Sequence, residues 1–270
     1  MEFLRLGRAL LAVLLLPACA TATVYQGNPA NYLALVDQLQ PGDTLQLAAG
    51  TYTDQLQLSG LHGAAGAFIT ITGPASGAAA VFLADNCCNT VELDDVSYVE
   101  VSHLTLDGNG TNGTFAVDSR SPTHHITISD LYIINYGADQ QMDGISTKGS
   151  AWNWIVRRNR IIGAGTGMYF GNSDGSAPFV AGLIEYNVVL DTLGYNVQIK
   201  HQNPRPTDIG LPIEAPSGST TTSTSGSELP LPSVVTPTST NAVAPTFPGS
   251  FPSRATHPPG PRPVPGRPSG

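Results

Sequence analysis

The chain has 270 residues, of which 12% are charged and 41% hydrophobic, and its formal net charge is −8 at pH 7. This acidity argues against a nucleic-acid partner, because phosphate binding requires a basic surface. The three cysteines include no C-x-x-C pair, so no thiolate metal site is predicted.

The first predicted element is a signal peptide at residues 1–23. A basic start is followed by the apolar run Ala9 to Leu16 and by small residues around Cys19. The run is too short to span a bilayer as a mature helix. Cleavage before Cys19, as in a bacterial lipoprotein, would attach lipid there; ordinary cleavage would follow Ala20 or Ala22 instead. Both routes predict a secreted, periplasmic or cell-surface protein, with membrane contact only through a possible anchor at Cys19.

A short helix is predicted next, over residues 28–39. Asn28 is the expected N-cap, Pro29 the first helical residue, and Leu33, Val36 and Leu39 lie near one face. The strands Thr44–Leu47, Gln55–Leu58 and Phe68–Thr72 then alternate apolar and polar residues. A helix over the first coil would cover the open N-terminal end of the core.

A repeated strand pattern dominates the middle of the chain. Four segments begin at Tyr98, His125, Trp154 and Gly182, at intervals of 27, 29 and 28 residues. Their apolar residues alternate, and a fixed period of this length is typical of a solenoid. The sixth place of each segment holds a polar turn former, and these are predicted to form one ladder of turn residues: His103, Asp130, Asn159 and Asn187.

A second set of strands predicts an outer face with two columns of side chains. Its strands are expected to begin at Val91, Phe115, Ile145, Met168 and Val197, with the first and third residues pointing inward. One outer column would be Glu92, Ala116, Ser146, Tyr169 and Gln198, and the other Asp94, Asp118, Lys148, Gly171 and Lys200. Since neighbouring strands lie about 4.8 Å apart, contact between Asp118 and Lys148 is predicted.

The segment Pro41-Gly-Asp-Thr-Leu-Gln-Leu-Ala-Ala-Gly-Thr-Tyr52, the Asn-bearing coils and Asp143-Gly-Ile-Ser-Thr-Lys-Gly149 together carry a family resemblance. Over about residues 24–203 the chain resembles the right-handed parallel β-helix proteins of the pectate-lyase-like superfamily. The fold expected for residues 24–214 is therefore all-β, a right-handed parallel β-helix with a short N-terminal capping helix. That superfamily includes polysaccharide lyases, hydrolases, epimerases and non-catalytic adhesins.

The resemblance also implies a site. Lyases of this superfamily commonly bind calcium through acidic side chains on an outer face, and a Lys or Arg removes the C5 proton of a uronate. Carboxylates suit calcium, and the cation makes the C5 proton more acidic. The implied metal ligands are Glu92, Asp94 and Asp118, and the implied bases are Lys148 and Lys200. Side chains that would hold an acidic polysaccharide are Arg157, Arg158, Tyr169 and His201.

Other interpretations remain open at this point. The same charges suit an ordinary solvated face, where an Asp118–Lys148 pair would be a surface salt bridge. A non-catalytic glycan-binding or adhesive protein fits as well, and so does a hydrolase that uses Glu92, Asp94 and Asp118. The adjacent Cys87 and Cys88 would either point to opposite faces of a strand or form a vicinal disulfide.

The last predicted segment, residues 215–270, is rich in Ser, Thr, Pro and Gly and contains no Lys or Asp. It cannot bury enough apolar surface to fold, so a disordered tail is expected. One interpretation is a linker to a wall or partner. The other is a frameshift product that replaces further coils, because Arg254, Arg262 and Arg267 among prolines are typical of a GC-rich gene translated out of frame.

Overall fold

A computed structural model describes residues 21–200 together with Gly210 and Leu211. The signal peptide up to Ala20, His201 and the segment 215–270 lie outside the described residues. Within the described part the elements are, in chain order, β1 (Val24–Gly27), α1 (Tyr32–Val36), β2 (Thr44–Leu47), β3 (Gly50–Tyr52), β4 (Leu56–Ser59), β5 (Ile69–Thr72), β6 (Ala80–Leu83), β7 (Val91–Asp94), β8 (Ser97–Ser102), β9 (Leu104–Asp107), β10 (Val117–Ser119), β11 (Thr123–Ser129), β12 (Tyr132–Ile134), β13 (Asp143–Thr147), β14 (Ala151–Trp152), β15 (Ile155–Arg157), β16 (Arg160–Ile162), β17 (Thr166–Phe170), β18 (Phe179–Val180), β19 (Leu183–Glu185), β20 (Val188–Leu190) and β21 (Val197–Ile199).

These strands build three parallel sheets that the chain visits in turn. Sheet A contains β1, β2, β5, β8, β11, β14, β15, β18 and β19; sheet B contains β3, β6, β9, β12, β16 and β20; sheet C contains β4, β7, β10, β13, β17 and β21. Each strand pairs with the equivalent strand one coil away, which is the arrangement of a parallel β-helix. The predicted all-β solenoid fold is confirmed, with about six coils in the described part.

The core is a continuous apolar column between the sheets. The alternation of inward and outward side chains along each strand produces this column. In β7, for example, Val91 and Leu93 are fully buried while Glu92 and Asp94 face outward. At the N-terminal end, Tyr32 of α1 packs edge-on against Tyr52, with ring centroids 5.1 Å apart. The helix therefore covers this end of the core, as predicted.

The helix itself is shorter than the predicted range of residues 28–39. Asn28 forms a turn, because its carbonyl accepts from the backbone N–H groups of Asn31 and Tyr32 at 3.1 Å. The N-cap is consequently Asn31, and α1 begins at Tyr32. Leu33 is 41% exposed, so the buried face of α1 is formed by Tyr32 and Val36, and Leu39 is buried beyond the end of the helix.

The predicted ladder of four turn residues divides into two columns. Thr127 pairs with Ile155, so the interval is 28 residues and the predicted alignment of His125 with Trp154 is wrong by one position. One column holds left-handed turn residues with φ between 55° and 56°: His103, Asp130, Arg158 and Tyr186. In the other column, Asn159 and Asn187 are buried, and Asn159 Nδ2 donates to Asn187 Oδ1 at 3.0 Å.

Coils approach each other closely at Gly108, which leads to a stability prediction. A Cβ added there would lie 2.1 Å from the carbonyl oxygen of Asn135 in the next coil. We expect Gly108→Ala to lower the free energy of unfolding by about 3 kcal/mol, because backbone must move to relieve the overlap. Urea unfolding measures the change.

Gly110 provides the matched control for this substitution. It has φ +69°, but an added Cβ would meet no described atom within 4 Å. Gly110→Ala is therefore expected to cost only the left-handed backbone penalty of about 1 kcal/mol. Equal losses for the two variants would contradict the overlap at Gly108.

No helix among the described residues is long and apolar enough to cross a membrane.

Candidate functional site

The strand register of sheet C differs from the predicted one at a single strand. Val117, not Phe115, lies opposite Val91 and Ile145. Asp118 is therefore the neighbour of Glu92 and Ser146, and Arg120 takes the place predicted for Asp118. The corrected columns are Glu92, Asp118, Ser146, Tyr169 and Gln198, and Asp94, Arg120, Lys148, Gly171 and Lys200.

Sequence reasoning missed Arg120 because a slip of two residues leaves the inward–outward alternation unchanged. A usable signal was present in the spacing. Starting the strand at Val117 gives intervals of 26 and 28 residues to Val91 and Ile145, closer to the repeat than the 24 and 30 given by Phe115. The slip also changes the ion pairs, since Lys148 pairs with Asp143 instead of the predicted Asp118.

Asp118 lies fully buried on this face. Its Oδ2 accepts from Arg120 Nε at 2.8 Å and from Asn89 Nδ2 at 3.1 Å. Its Oδ1 is also buried and has no hydrogen-bond partner among the described residues. Burial raises the pKa of Asp118, and the hydrogen bond and charge of Arg120 only partly oppose this effect.

Asn89 connects Asp118 to the neighbouring coil. Its amide Nδ2 also donates to Glu92 Oε2 at 3.2 Å, while its Oδ1 accepts from the backbone N–H of Phe115 at 3.0 Å. These contacts fix which end of the amide faces the carboxylates. Asn89 thus links two acidic side chains with a neutral donor.

Lys148 lies beside these carboxylates, and its side chain is partly exposed. Its Nζ donates to Asp143 Oδ2 at 3.1 Å and lies 3.4 Å from the centroid of the Tyr169 ring. Lys200 approaches the same ring, with its Nζ 5.5 Å from the centroid, and Phe115 borders Lys148 at 5.4 Å. The Lys148 side chain is 28% exposed.

Asp143 is the most perturbed carboxyl of this group. Burial raises its pKa to about 6; the charge of Lys148 lowers the pKa, and nearby Asp118 raises it further. Acidification through about pH 6 therefore protonates Asp143 and removes the negative partner of Lys148.

This shift predicts how stability depends on pH. The folded pKa of Asp143, about 6, exceeds its ordinary value of 3.8, so its contribution to stability is fully present below about pH 4 and is lost as the pH rises through 6. We expect this loss to amount to roughly 2 to 3 kcal/mol. Urea unfolding between pH 4 and 7 should show a flatter pH dependence for Asp143→Asn than for the wild type; identical slopes would contradict the prediction.

The predicted metal ligands are only partly brought together. Among the described residues, only Asp85, Cys87 and Cys88 form a group of three His, Cys, Asp or Glu ligand atoms within 4.8 Å, and the cysteines are joined in a disulfide. Glu92 and Asp118 fit a hard cation because they are neighbours and one buried carboxylate oxygen is unpartnered. Asp94 lies at the exposed end of β7.

The predicted substrate-binding residues divide between two sheets. Tyr169 lies on sheet C beside Lys148 and Lys200. Arg157 belongs to β15 of sheet A, and Arg158 follows it, bound to Asp130 through two hydrogen bonds of 2.8 and 2.6 Å. The structure therefore does not bring the two arginines together with Lys148.

Comparison with known proteins yields structural neighbours only. No protein-family model matches the sequence, and no curated protein matches it either. A GH136 lacto-N-biosidase from Eubacterium ramulus superposes with a TM-score of 0.51 at 16% identity, over 64% of this chain and 42% of that one.

Two lyase structures are matched as well. An alginate lyase from a Paenibacillus species gives a TM-score of 0.46 at 18% identity, over 65% of this chain and 64% of that one. A mannuronic acid specific polysaccharide family 6 lyase from human gut microbiota gives 0.45 at 15% identity, over 66% and 52%. This chain thus spans 42% to 64% of these three structures. The predicted parallel β-helix fold itself is confirmed by the strand pairing described above.

Proposed function

We propose that this protein acts on acidic polysaccharide and is a calcium-assisted uronate lyase that cleaves by β-elimination. The observation that carries the proposal is the position of the Lys148 amine, on a partly exposed side chain. It lies between Asp143 and the Tyr169 ring, on the same face as the buried and partly unpartnered carboxylate of Asp118. A base, an aromatic surface and hard oxygen ligands are thereby combined on the outer face of sheet C.

Lys148 is the proposed base. Once deprotonated, its amine takes the C5 proton of a uronate, the C–H electron pair forms the C4–C5 double bond, the C4–oxygen bond breaks, and the leaving oxygen takes a proton from water. Asp143, 3.1 Å from Nζ, stabilises the ammonium that results. Lys200 is the second candidate base, because its amine lies 5.5 Å from the centroid of the same Tyr169 ring.

Substrate binding is assigned to cations and an aromatic ring of the same face. Arg120, whose side chain is 60% exposed, and Lys200 stand in one column with Lys148. Adjacent coils lie about 4.8 Å apart, so these cations can pair with more than one carboxylate of a polyuronate. Tyr169 offers a ring edge or face to a sugar.

Calcium, if bound, would be held by Glu92 and Asp118, with Asn89 beside them. It would offset the charge of the substrate carboxylate and so make the C5 proton more acidic. Export through residues 1–23, with or without a lipid anchor at Cys19, is part of the proposal. Fractionation of cells that express the full chain tests it.

A glycoside hydrolase is the second candidate function. Asp118 and Asp143 lie buried on neighbouring coils, and burial raises the pKa of both, in the case of Asp143 to about 6. A carboxyl with a raised pKa beside a second carboxyl is what a glycosidase needs for its general acid.

The test is a product assay on pectate, alginate and glycosaminoglycans, with calcium or with a chelator. We expect a product with near-ultraviolet absorbance, and a lower rate with the chelator. New reducing ends without this absorbance would indicate the hydrolase. Polysaccharide that binds to the protein without being cleaved would indicate a non-catalytic glycan-binding protein. The absence of both binding and product would contradict all three functions.

A further inference from the structure

The loop between β6 and β7 contains a disulfide between the adjacent residues Cys87 and Cys88. One of the two alternatives left open by the sequence is therefore realised. The backbone N–H of Cys87 donates to Asp85 Oδ1 at 2.8 Å, which holds the start of the loop. Cys87 is exposed and Cys88 half-buried, so a soluble reductant can reach the bond.

The residue that follows the disulfide is Asn89, which links the two candidate carboxylates. It contacts Glu92, Asp118 and the backbone N–H of Phe115. The disulfide closes a small ring over the peptide that joins Cys87 to Cys88, so the backbone leading into Asn89 has few conformations available. Reduction opens the ring and restores the conformational freedom of Cys88, the residue directly bonded to Asn89.

We infer that the Cys87–Cys88 disulfide is a redox-sensitive site that controls how firmly Asn89 holds Glu92, Asp118 and Phe115. Reduction proceeds by exchange with an external dithiol: two electrons and two protons pass to Cys87 and Cys88, which become thiols, and the dithiol leaves as its own disulfide. The consequence for catalysis rests on the proposed function, whereas the coupling between the disulfide and Asn89 does not.

The chemistry of the site gives the direction of the effect. When Asn89 is released, Asp118 loses one of the two donors to its Oδ2 and keeps only Arg120. Glu92 and Asp118, which are register neighbours, then face each other without the shared amide between them. We therefore expect reduction to loosen the site rather than to order it.

Amide hydrogen exchange measures this coupling without any activity assay. The N–H of Phe115 donates to Asn89 Oδ1 at 3.0 Å, and the N–H of Leu131 donates to Asn159 Oδ1 at the same distance. On adding a dithiol to the full chain, we expect exchange at Phe115 to accelerate about tenfold or more, since one hydrogen bond is lost there. Exchange at Leu131, far along the chain from the disulfide, should not change.

Two variants define the outcomes. Asn89→Ala should exchange rapidly at Phe115 in both redox states, and Cys87→Ser combined with Cys88→Ser should match the reduced wild type regardless of the dithiol. Peptide mapping with an alkylating reagent confirms that Cys87 and Cys88 have been reduced. An unchanged Phe115 rate after complete reduction overturns the inference. A parallel increase at Leu131 also overturns it, because the disulfide would then stabilise the coils in general.

The polyuronate assay in both redox states adds the functional consequence. If product forms, reduction is expected to lower the rate for the wild type and to leave the rate of Asn89→Ala unaffected. If no product forms in either state, the proposed function fails, and the exchange rates still decide the inference about the disulfide.

Discussion

Replacement of Lys148 by Ala is expected to abolish the unsaturated product of polyuronate cleavage, lowering kcat by about 10² to 10⁴-fold. A positioned base accounts for a factor of this size, and the amine between Asp143 and the Tyr169 ring is the group assigned to that role. The expected loss is in kcat more than in KM, because Arg120 and Lys200 still bind substrate carboxylates. Initial rates of near-ultraviolet absorbance measure it.

Two controls separate the loss of a base from the loss of the fold. Lys148→Ala leaves Asp143 buried without its partner, so the double variant with Asp143→Asn tests whether activity stays absent when that unpaired charge is removed. Arg160→Ala removes a cation that lies over Tyr132 on sheet B, and it should keep the wild-type rate. Full activity of Lys148→Ala with an unchanged unfolding midpoint would exclude Lys148 as the base.

The second large effect is expected for stability, from Asn159→Leu. Asn159 Oδ1 accepts from the backbone N–H of Leu131, and its Nδ2 donates to the carbonyl of Ile128, each at 3.0 Å. Leu has the same number of side-chain heavy atoms as Asn and the same branch at Cγ, and Leu131 holds the equivalent place one coil earlier. The substitution nevertheless leaves buried backbone groups without partners, so we expect a loss of about 3 to 5 kcal/mol.

Urea unfolding of the full chain measures this loss. The matched control is the same substitution at Asn112, an exposed residue of the loop between β9 and β10, with an expected change within about 0.5 kcal/mol. A loss below about 1 kcal/mol at Asn159 would mean that water or a neighbour replaces the side-chain amide.

Two residues on sheet C explain why the fold was easier to predict than the site. Val91 and Val117 both point inward, so the strand pattern identified the sheet correctly. The pattern did not identify which residue of β10 faces Val91, because moving the strand by two residues keeps every apolar side chain inside. After that movement Arg120, rather than Asp118, lies beside Lys148 in the outer column. The residue next to Lys148 is then a cation instead of an anion.

The turn residues show the same limitation. Asn159 and Asn187 were predicted as ladder residues and form one, yet His103 and Asp130 lie in the adjacent column. The predicted interval from His125 to Trp154 was one residue too long, and this error placed residues of two separate columns in one ladder. Asp143, the partner of Lys148, was not predicted because a carboxyl at the first position of a strand gives no sequence signal of its burial.

The sequence by itself determined the period, the alternation of apolar residues and therefore the stacked parallel strands, because these are local properties that repeat in every coil. It also determined that acids and lysines share one outer face. Only the tertiary structure decided which of them touch, that Asn89 joins Glu92 to Asp118, and that Lys148 pairs with Asp143. Those contacts depend on strand register and loop path, and hydrogen bonding and side-chain packing between coils select them from several arrangements that bury the same core.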